Sequence, residues 1–508
     1  MNVSDTRHPD AAAEASPSRR VLFVTYYFPP SGGPGVQRSL KFTKYLPQFG
    51  WQPTILTVEP EHASYPDLDP DLGDEVPPSV RVERTYAWDP YALYARVLQK
   101  QKQDVVSVGF LGEAKMNLRQ RTARWVRANI FLPDARVGWV PFAVKRGNEL
   151  LRRERFDAVM TTSPPHSTHL VGAALAQRHR IPWLTDFRDP WTEIDYYADL
   201  PMTAPARAID SLMERFVLRR ASAATVISDV MKHQLQRTVP LDIDVIENGF
   251  DPADFDVPSR DAASEDPDGR FTLAHVGSLN GARNPHALWE AVAALNPHET
   301  MPKFRVALIG NVEPAVLSDA ERFGLIDRVD LMPYVPHADA VRRMQSSTML
   351  LLSINRVKGA EGIVTGKLYE YVATRRPVIG IGPVTGDAAR ILHESGAGRM
   401  FDFDDAAALA AHLRKSYDEW AAGSALSGAT EAAAMHYSRR EQAARLAEKL
   451  ESLIQASDGE GGTGAGGQGT GDGGQGTGDR GQGTGDGGPG TRDGGQGTGA
   501  GRQETDPP

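Results

Sequence analysis

Cysteine is absent from this chain of 508 residues. The absence excludes disulfides, thiolate metal sites and cysteine nucleophiles, and it is compatible with a reducing compartment. Long apolar runs are also absent, since no stretch reaches the about 18 apolar residues of a membrane span. Residues 1–20 lack the apolar segment of a signal peptide. We therefore expect a cytoplasmic protein that at most lies peripherally on the inner face of the plasma membrane.

The chain also lacks an excess of positive charge. The formal net charge is −9, and most of it comes from the acidic C-terminal segment, so general nucleic-acid binding is not expected. That segment, residues 457–508, repeats glycine-rich units without residues that could form a core, and it is predicted to be a disordered tail. Residues 1–20 are predicted to be a disordered N-terminal segment, because they too are short of apolar side chains.

The remaining chain divides into two halves of similar pattern, residues 21–252 and 253–456. Each half alternates apolar strand segments with helical segments, which is typical of α/β domains with a parallel sheet. A segment rich in Pro and Asp, residues 252–269, lies at the boundary. We predict two Rossmann-like doubly wound domains that bind ligands at the carboxyl ends of their strands.

The first half opens over residues 21–58 with a strand, a glycine-rich loop, a helix and a second strand. The loop matches neither common phosphate motif. Gln37 and Arg38 stand where a P-loop has glycine and lysine, and Arg38 also replaces the third glycine of a dinucleotide loop. ATPase and dehydrogenase functions are therefore disfavoured. Gly32 and Gly33 would let a substrate approach the backbone closely, or they form a tight turn that needs positive φ.

Two candidate catalytic residues follow strands of this half. His166 lies after the strand 156–162 and Asp189 after the strand 183–186, so both are expected at one sheet edge. The imidazole would donate to a phosphate or sugar hydroxyl, or it is a structural histidine. The carboxylate would orient a hydroxyl or act as a base, or it caps a turn. His169 follows His166 by three positions, but no third ligand is evident, and no metal site is predicted.

Two segments of the first half break the alternation. Residues 60–90 are rich in Pro and Asp, which predicts an irregular excursion. Residues 115–132 contain Lys and Arg without any acidic residue, interleaved with apolar residues such as Trp125. This pattern is compatible with a helix on an anionic membrane surface, and a solvated charged face is the alternative.

The most informative segment of the second half is residues 359–382. Thr365 is placed to cap a helix whose first amides would point at an anion, and Lys367 and Glu370 share one face of that helix. Arg283 occupies the loop before another helix, where a cation would meet phosphates. A cation for the pyrophosphate and a carboxylate for the ribose suit a nucleotide diphosphate. An amphipathic surface helix is the alternative.

Several segments carry a family resemblance. They are YYFPPSGGPGVQR, TTSPPHS, LTDFRDPW, IENGFD, HVGSLNGARNP, VALIGN and GIVTGKLYEYVATRRPVIG. Together they resemble the family 4 (group 1) glycosyltransferases of the GT-B fold, in the branch with a K-L-x-E-Y helix, over residues 21–455. The resemblance implies a nucleotide-sugar donor in the second domain and an acceptor in the first. It also implies transfer to a surface-polysaccharide or lipid-linked acceptor, with retention and without a required metal or other cofactor.

The resemblance implies roles for individual residues. Glu370 would bind the donor ribose, and the neighbouring cations would bind the pyrophosphate. The donor-binding residues implied are Gly32, Gly33, Arg283, Gly362, Thr365, Lys367 and Glu370. Asp189 is the first catalytic candidate, because the FRD segment stands where many members carry a histidine, and His166 is the second. The chain departs from the family at Gly362, which occupies the first of two positions that usually hold glutamates, with Glu361 before it.

Two alternatives stay open at this level. A GT-B sugar-nucleotide epimerase would need acid and base residues in place of an acceptor pocket. A catalytically inactive GT-B scaffold protein would explain the missing first glutamate, whereas the retained Glu370, Lys367 and Arg283 favour an enzyme. Donor binding separates the scaffold from both enzymes. Dependence of turnover on an added acceptor separates the transferase from the epimerase.

Overall fold

The computed structural model describes residues 19–88, 118–255 and 269–462. Most of the two segments predicted to be disordered lies outside these ranges. Within them, Arg19 begins the first strand, and the last helix extends to Gly462. None of the helices in the described part of the chain is both long enough and apolar enough to cross a bilayer.

The first domain is built on one parallel sheet, with the strand order β3-β2-β1-β4-β5-β6-β7. Its strands are β1 (Arg19–Val24), β2 (Trp51–Val58), β3 (Arg81–Thr85), β4 (Ala158–Ser163), β5 (Trp183–Phe187), β6 (Ala223–Val226) and β7 (Ile243–Val245). Its helices are α1 (Pro34–Tyr45), α2 (Leu118–Ile130), α3 (Val140–Arg153), α4 (Ser167–His179), α5 (Ala204–Arg220) and α6 (Asp229–Thr238). The central strands are apolar runs buried on both faces, as a helix-covered parallel sheet requires.

The second domain repeats this plan with the strand order β10-β9-β8-β11-β12-β13. Its strands are β8 (Phe271–Val276), β9 (Phe304–Ile309), β10 (Val329–Met332), β11 (Met349–Ser353), β12 (Val378–Ile381) and β13 (Gly398–Phe401). The following helices are α7 (His286–Ala294), α8 (Pro297–Thr300), α9 (Pro314–Arg322), α10 (His337–Ser346), α11 (Gly366–Thr374), α12 (Asp387–Glu394), α13 (Ala406–Ala421), α14 (Glu431–Met435) and α15 (Arg439–Gly462). The predicted pair of Rossmann-like doubly wound domains is confirmed.

Each sheet has a point at which the strand order reverses. It lies between β1 and β4 in the first sheet and between β8 and β11 in the second. Connections leave such neighbouring strands toward opposite faces, so a crevice opens at their carboxyl ends. These two crevices are the places where ligands are expected.

The last helix, α15, packs against the sheet of the first domain. Its side chains Leu446, Leu450 and Ile454 belong to one buried cluster with Val21 and Phe23 of β1. Helices α3 to α6 cover the opposite face of the same sheet. The predicted boundary counted this helix with the second domain, whereas its apolar face completes the core of the first.

Two predicted elements differ from the structure. Residues 60–90 were expected to be irregular, yet they contain β3, which pairs with β2. Residues 430–455 are rich in alanine with charges at helical spacing, which predicts one long helix, but α14 ends at Met435 and α15 starts at Arg439. The interruption has a long-range cause, because the carbonyl of Tyr437 accepts from the Phe250 amide and the Arg439 amide donates to the Phe250 carbonyl. These bonds use backbone groups that a continuous helix would need.

Candidate active site

Lys367 lies directly over Gly277 at the crevice of the second domain. Gly277 follows β8 with φ +114°, and a Cβ built on it would come within 2.2 Å of the Lys367 Cε. Only glycine combines this backbone conformation with room for the lysine. The Lys367 ammonium donates to the Ser278 carbonyl over 3.5 Å. The loop after β8 and the first turn of α11 therefore meet at one cationic point.

Arg283 provides a second cation at the same crevice. Its Nε donates to the Asn355 Oδ1 in the loop after β11, which holds the guanidinium in place. Burial lowers the pKa of Arg283. Burial and the charge of Arg283 lower the pKa of Lys367 to about 8, while Glu370 acts in the opposite direction. Two half-buried cations that disfavour each other form a site that a bound anion would stabilise.

Glu370 lies one turn after Lys367 on α11. Burial raises the pKa of its carboxyl, and the charge of His337 lowers it. The His337 Nε2 is 3.5 Å from the Asp254 Oδ2, and this contact raises the pKa of His337. The Glu370 carboxylate can accept hydrogen bonds, which is what the hydroxyls of a ribose require.

Thr365 and Gly362 precede α11 in different settings. Thr365 occupies the N-cap position, but its side chain makes no capping bond. Its Oγ1 is buried without a hydrogen-bond partner, so the predicted position is right and the expected capping bond is absent. A Cβ on Gly362 would lie 3.0 Å from the Val230 Cγ1, so glycine there lets the loop before α11 contact α6 of the first domain.

The glycine loop of the first domain ends in a left-handed residue. Gly33 is the N-cap of α1 with φ +79°, and no atom lies within 4 Å of a Cβ built there. The Gly32 amide donates to the Asp67 carbonyl over 2.9 Å. Gly33 thus satisfies the positive-φ turn and also faces open space, which is compatible with close approach of a ligand.

His166 stacks on Trp191 in the crevice of the first domain. The ring centroids are 4.9 Å apart and the planes are inclined by 10°. Burial lowers the pKa of His166 to about 4, so its imidazole is neutral at physiological pH. His169 is a core residue whose Nδ1 pairs with the Thr161 Oγ1 at 2.8 Å. Among the described residues, no three His, Asp or Glu side chains gather at metal-binding distances.

Asp189 follows β5, next to β4 and its His166 loop, so both candidates lie at one edge of the sheet. Its neighbour Arg188 organises this edge. The Arg188 guanidinium donates to the Ser163 carbonyl over 3.0 Å and to the Gly35 carbonyl over 2.5 Å. Arg188 therefore ties the loop after β5 to the loop after β4 and to the start of α1. Sequence reasoning did not single it out.

Arg38 has a structural role. Its guanidinium pairs with the buried Asp186 at 2.8 Å and donates to the Glu247 carbonyl over 2.9 Å. Asp186 also accepts from the hydroxyls of Thr162 and Thr225, each at 2.7 Å. The ion pair is therefore fully hydrogen-bonded, as a buried charge requires. The arginine that breaks the dinucleotide motif holds α1 to the sheet beneath the crevice.

Two Rossmann-like domains, each with a crevice at the carboxyl ends of its strands, are the architecture of the GT-B fold. Residues 32–249 match the model of a glycosyl transferase 4-like domain, and residues 270–419 match the model of glycosyl transferases group 1. The two matches together span more than half of the chain. The chain therefore belongs to the group 1 glycosyltransferase family, as the sequence resemblance predicted.

Solved structures show the same fold. A glycosyltransferase from Rickettsia africae is 14% identical, with 86% of this chain and 99% of that chain covered and a TM-score of 0.53. Anabaena HepE in complex with UDP-glucose is 15% identical, with coverages of 85% and 99% and a TM-score of 0.51. The lipopolysaccharide outer core galactosyltransferase WaaB is 11% identical, with coverages of 86% and 99% and a TM-score of 0.50. No curated protein matches the chain.

Proposed function

We propose that this glycosyltransferase moves a sugar from a nucleotide-diphosphate sugar to a surface-polysaccharide or lipid-linked acceptor, with retention at the anomeric carbon. The observation that carries the donor assignment is that Lys367 lies over Gly277, near enough to Arg283 for the two charges to interact, and one turn from Glu370. The complex of Anabaena HepE with UDP-glucose supports a nucleotide-sugar donor. The likeness to WaaB supports an acceptor of the surface-glycan type.

Breakage of the bond between the sugar and the diphosphate develops negative charge on the leaving oxygen. Lys367, Arg283 and the first amides of α11 lie where they would stabilise that charge. We propose that these cations take the place of a metal ion. The acceptor oxygen forms the new bond to the anomeric carbon, so the enzyme need not supply a nucleophile. In this scheme Asp189 accepts the acceptor proton, and the neutral His166 donates to a sugar or phosphate oxygen.

Contacts between the domains support a closed site. The Asp387 carboxylate, at the start of α12, accepts from the amides of Asp229 and Val230 at the start of α6, at 3.3 and 3.1 Å. Arg390 of the same helix pairs with Asp229 at 3.2 Å. These contacts hold α12 of the second domain against α6 of the first. Such closure would keep water from hydrolysing the donor.

The basic segment 115–132 is proposed to contact an anionic membrane surface at the inner face of the plasma membrane. Its described part is α2, which has no acidic residue. Trp125 is 46% exposed, so an aromatic side chain is available for the interface. Lys115 and Met116 lie outside the described residues.

The donor assignment is tested by thermal shift and donor hydrolysis with UDP-, GDP- and dTDP-sugars. We expect one nucleotide sugar to stabilise the wild type and to be hydrolysed slowly. Glu370→Ala should abolish the shift, because the ribose loses its acceptor, whereas the exposed Glu419→Ala should behave as wild type. If no nucleotide sugar shifts the wild type, the donor assignment is wrong and the inactive scaffold becomes the better description.

A further inference from the structure

Helix α5 has two faces of opposite chemistry. Its acidic residues, Asp210 and Glu214, point inward and are 2% and 5% exposed. Asp210 accepts from the Trp191 Nε1 at 2.9 Å, and Glu214 accepts from the Thr192 hydroxyl at 2.7 Å. The inner face thereby anchors the segment after β5, in which Trp191 stacks on His166.

The outer face of α5 is apolar along its centre. Ile209, Leu212 and Phe216 follow one another at helical spacing and are 46%, 62% and 40% exposed. Apolar side chains of this size are normally buried, and a contiguous stripe of them marks an interaction surface. No other described element covers this stripe, as the exposed fractions show.

The charges that α5 itself carries beside the stripe are all positive. Arg215, Arg219 and Arg220 are exposed, and the Arg220 guanidinium lies 3.8 Å from the centroid of the Phe216 ring. Both acidic residues of the helix are buried, so the charged side chains on its outer face, beside the apolar ones, are all arginines. A helix of this composition suits an interface where apolar groups enter the acyl region and arginines meet anionic headgroups.

A second basic helix is fixed beside the start of α5. The Asn129 Oδ1 of α2 accepts from the Thr203 amide at 2.7 Å, and the Asn129 Nδ2 donates to the Pro201 carbonyl at 2.8 Å. Thr203 is the N-cap of α5. The two helices are therefore held in one structural unit of the first domain.

We propose that the outer face of α5 docks on an anionic lipid bilayer. The charge complementarity favours this occupant, since an acidic headgroup region matches a face that has arginines and no exposed acid. Docking through α5 would place the His166 and Trp191 edge, which its inner face anchors, at the membrane. That consequence for the acceptor rests on the proposed function, whereas lipid binding itself does not.

The experiment is flotation of the full-length protein with vesicles of phosphatidylcholine that contain phosphatidylglycerol, compared with vesicles of phosphatidylcholine alone. Ile209→Glu is the test variant. Ile326→Glu is its matched control, because Ile326 lies in the second domain and both isoleucines are 46% exposed. We expect the wild type and the control to bind only the anionic vesicles. Ile209→Glu should bind about tenfold or more weakly, and Arg219→Gln about fivefold more weakly.

Four results would overturn the proposal. They are equal flotation of Ile209→Glu and wild type, equal binding of wild type to both kinds of vesicle or to neither, a wild-type dimer that Ile209→Glu dissociates, and a melting temperature that Ile209→Glu lowers by several degrees more than Ile326→Glu does. The third would make the face an interface between copies, and the fourth would show that the chain itself covers the stripe. If the wild type floats with anionic vesicles but no nucleotide sugar shifts its melting temperature, the proposed function is wrong and the docking proposal is unaffected.

Discussion

The burial of Lys367 has a structural cost. Its pKa of about 8 in the folded protein lies below the ordinary value of 10.5. Between these two pKa values the unfolded chain binds a proton at Lys367 that the folded protein does not bind. The free energy of unfolding therefore decreases as the pH falls from 10.5 to about 8. At neutral pH Lys367 is charged, and its burial lowers the stability of the folded protein when no anion is bound. A bound diphosphate would reverse this balance.

The affinity for UDP-glucose, used as a probe, should therefore depend on pH through Lys367. We expect it to be level below about pH 8 and to fall by up to about tenfold per pH unit above, because the neutral amine no longer attracts the diphosphate. Isothermal titration calorimetry would measure this profile. Lys367→Arg serves as the control, since arginine stays charged and should flatten the decline. An unchanged decline in that variant would show that another group titrates.

The residues of the site differ in how far the sequence reveals them. Lys367, Glu370 and Thr365 belong to one short helix start, so local spacing places them correctly. Arg188 acts through the carbonyls of Ser163 and Gly35, which come from distant segments. No local pattern marks such a contact, because it exists only after the strands have paired.

At the scale of elements, the loop after β8 determines the position of the Lys367 side chain. Gly277 has φ +114°, and the Lys367 side chain fills the space where another residue would place its Cβ. The loop and α11 are therefore matched in shape as well as in charge. A substitution in the loop should disturb the site without touching any charged residue.

Gly277→Ala should weaken donor binding by about tenfold or more, because the new methyl group displaces the Lys367 ammonium. Gly324→Ala is the matched control, since Gly324 also has positive φ, at +70°, but nothing lies within 4 Å of its Cβ. Both variants should lose about 1–2 kcal/mol of stability from backbone strain. Titration with UDP-glucose and urea unfolding would separate the two effects. Equal affinities in the two variants would contradict a role for Gly277 in placing the lysine.

The apolar runs 51–58, 271–276 and 349–353 predict strands from the sequence alone, and β2, β8 and β11 have these bounds. The strand expected at 156–162 is shifted, since β4 spans Ala158–Ser163. The polar sequence of β3, RVERT, gives no such signal, so this edge strand was missed. The break between α14 and α15 could not be predicted either. Its cause is the pairing with Phe250, nearly two hundred residues earlier in the chain.

At the scale of the molecule, the chain passes between the domains at two adjacent points. Phe250 lies in the first passage and pairs with Tyr437 and Arg439 in the second. Beyond the second passage, α15 returns to the sheet on which the chain began. The second domain is thus inserted between the parts of the first, which explains why a division by sequence order misplaces the last helix.

Leu450→Ala should lower the free energy of unfolding by about 2–5 kcal/mol, because a side chain with 0% exposure leaves a cavity against the first sheet. Glu448→Ala lies on the exposed side of the same helix and should change it by less than about 0.5 kcal/mol. Urea denaturation would give both values. Hydrogen exchange should show the loss of protection in β1. A loss confined to the second domain would contradict the packing of α15 on the first.

The return of α15 also bears on how the chain is made. Roughly 200 residues separate the end of the first sheet from this helix, and ribosomes add about 5–20 residues per second. For roughly 10–40 s, the nascent first domain therefore has its strands and α1 but lacks α15, which covers the rest of one face of the sheet. The apolar groups that pack on α15 lack this cover during that interval. Synthesis of the first domain thus begins before that of the second domain and ends after it.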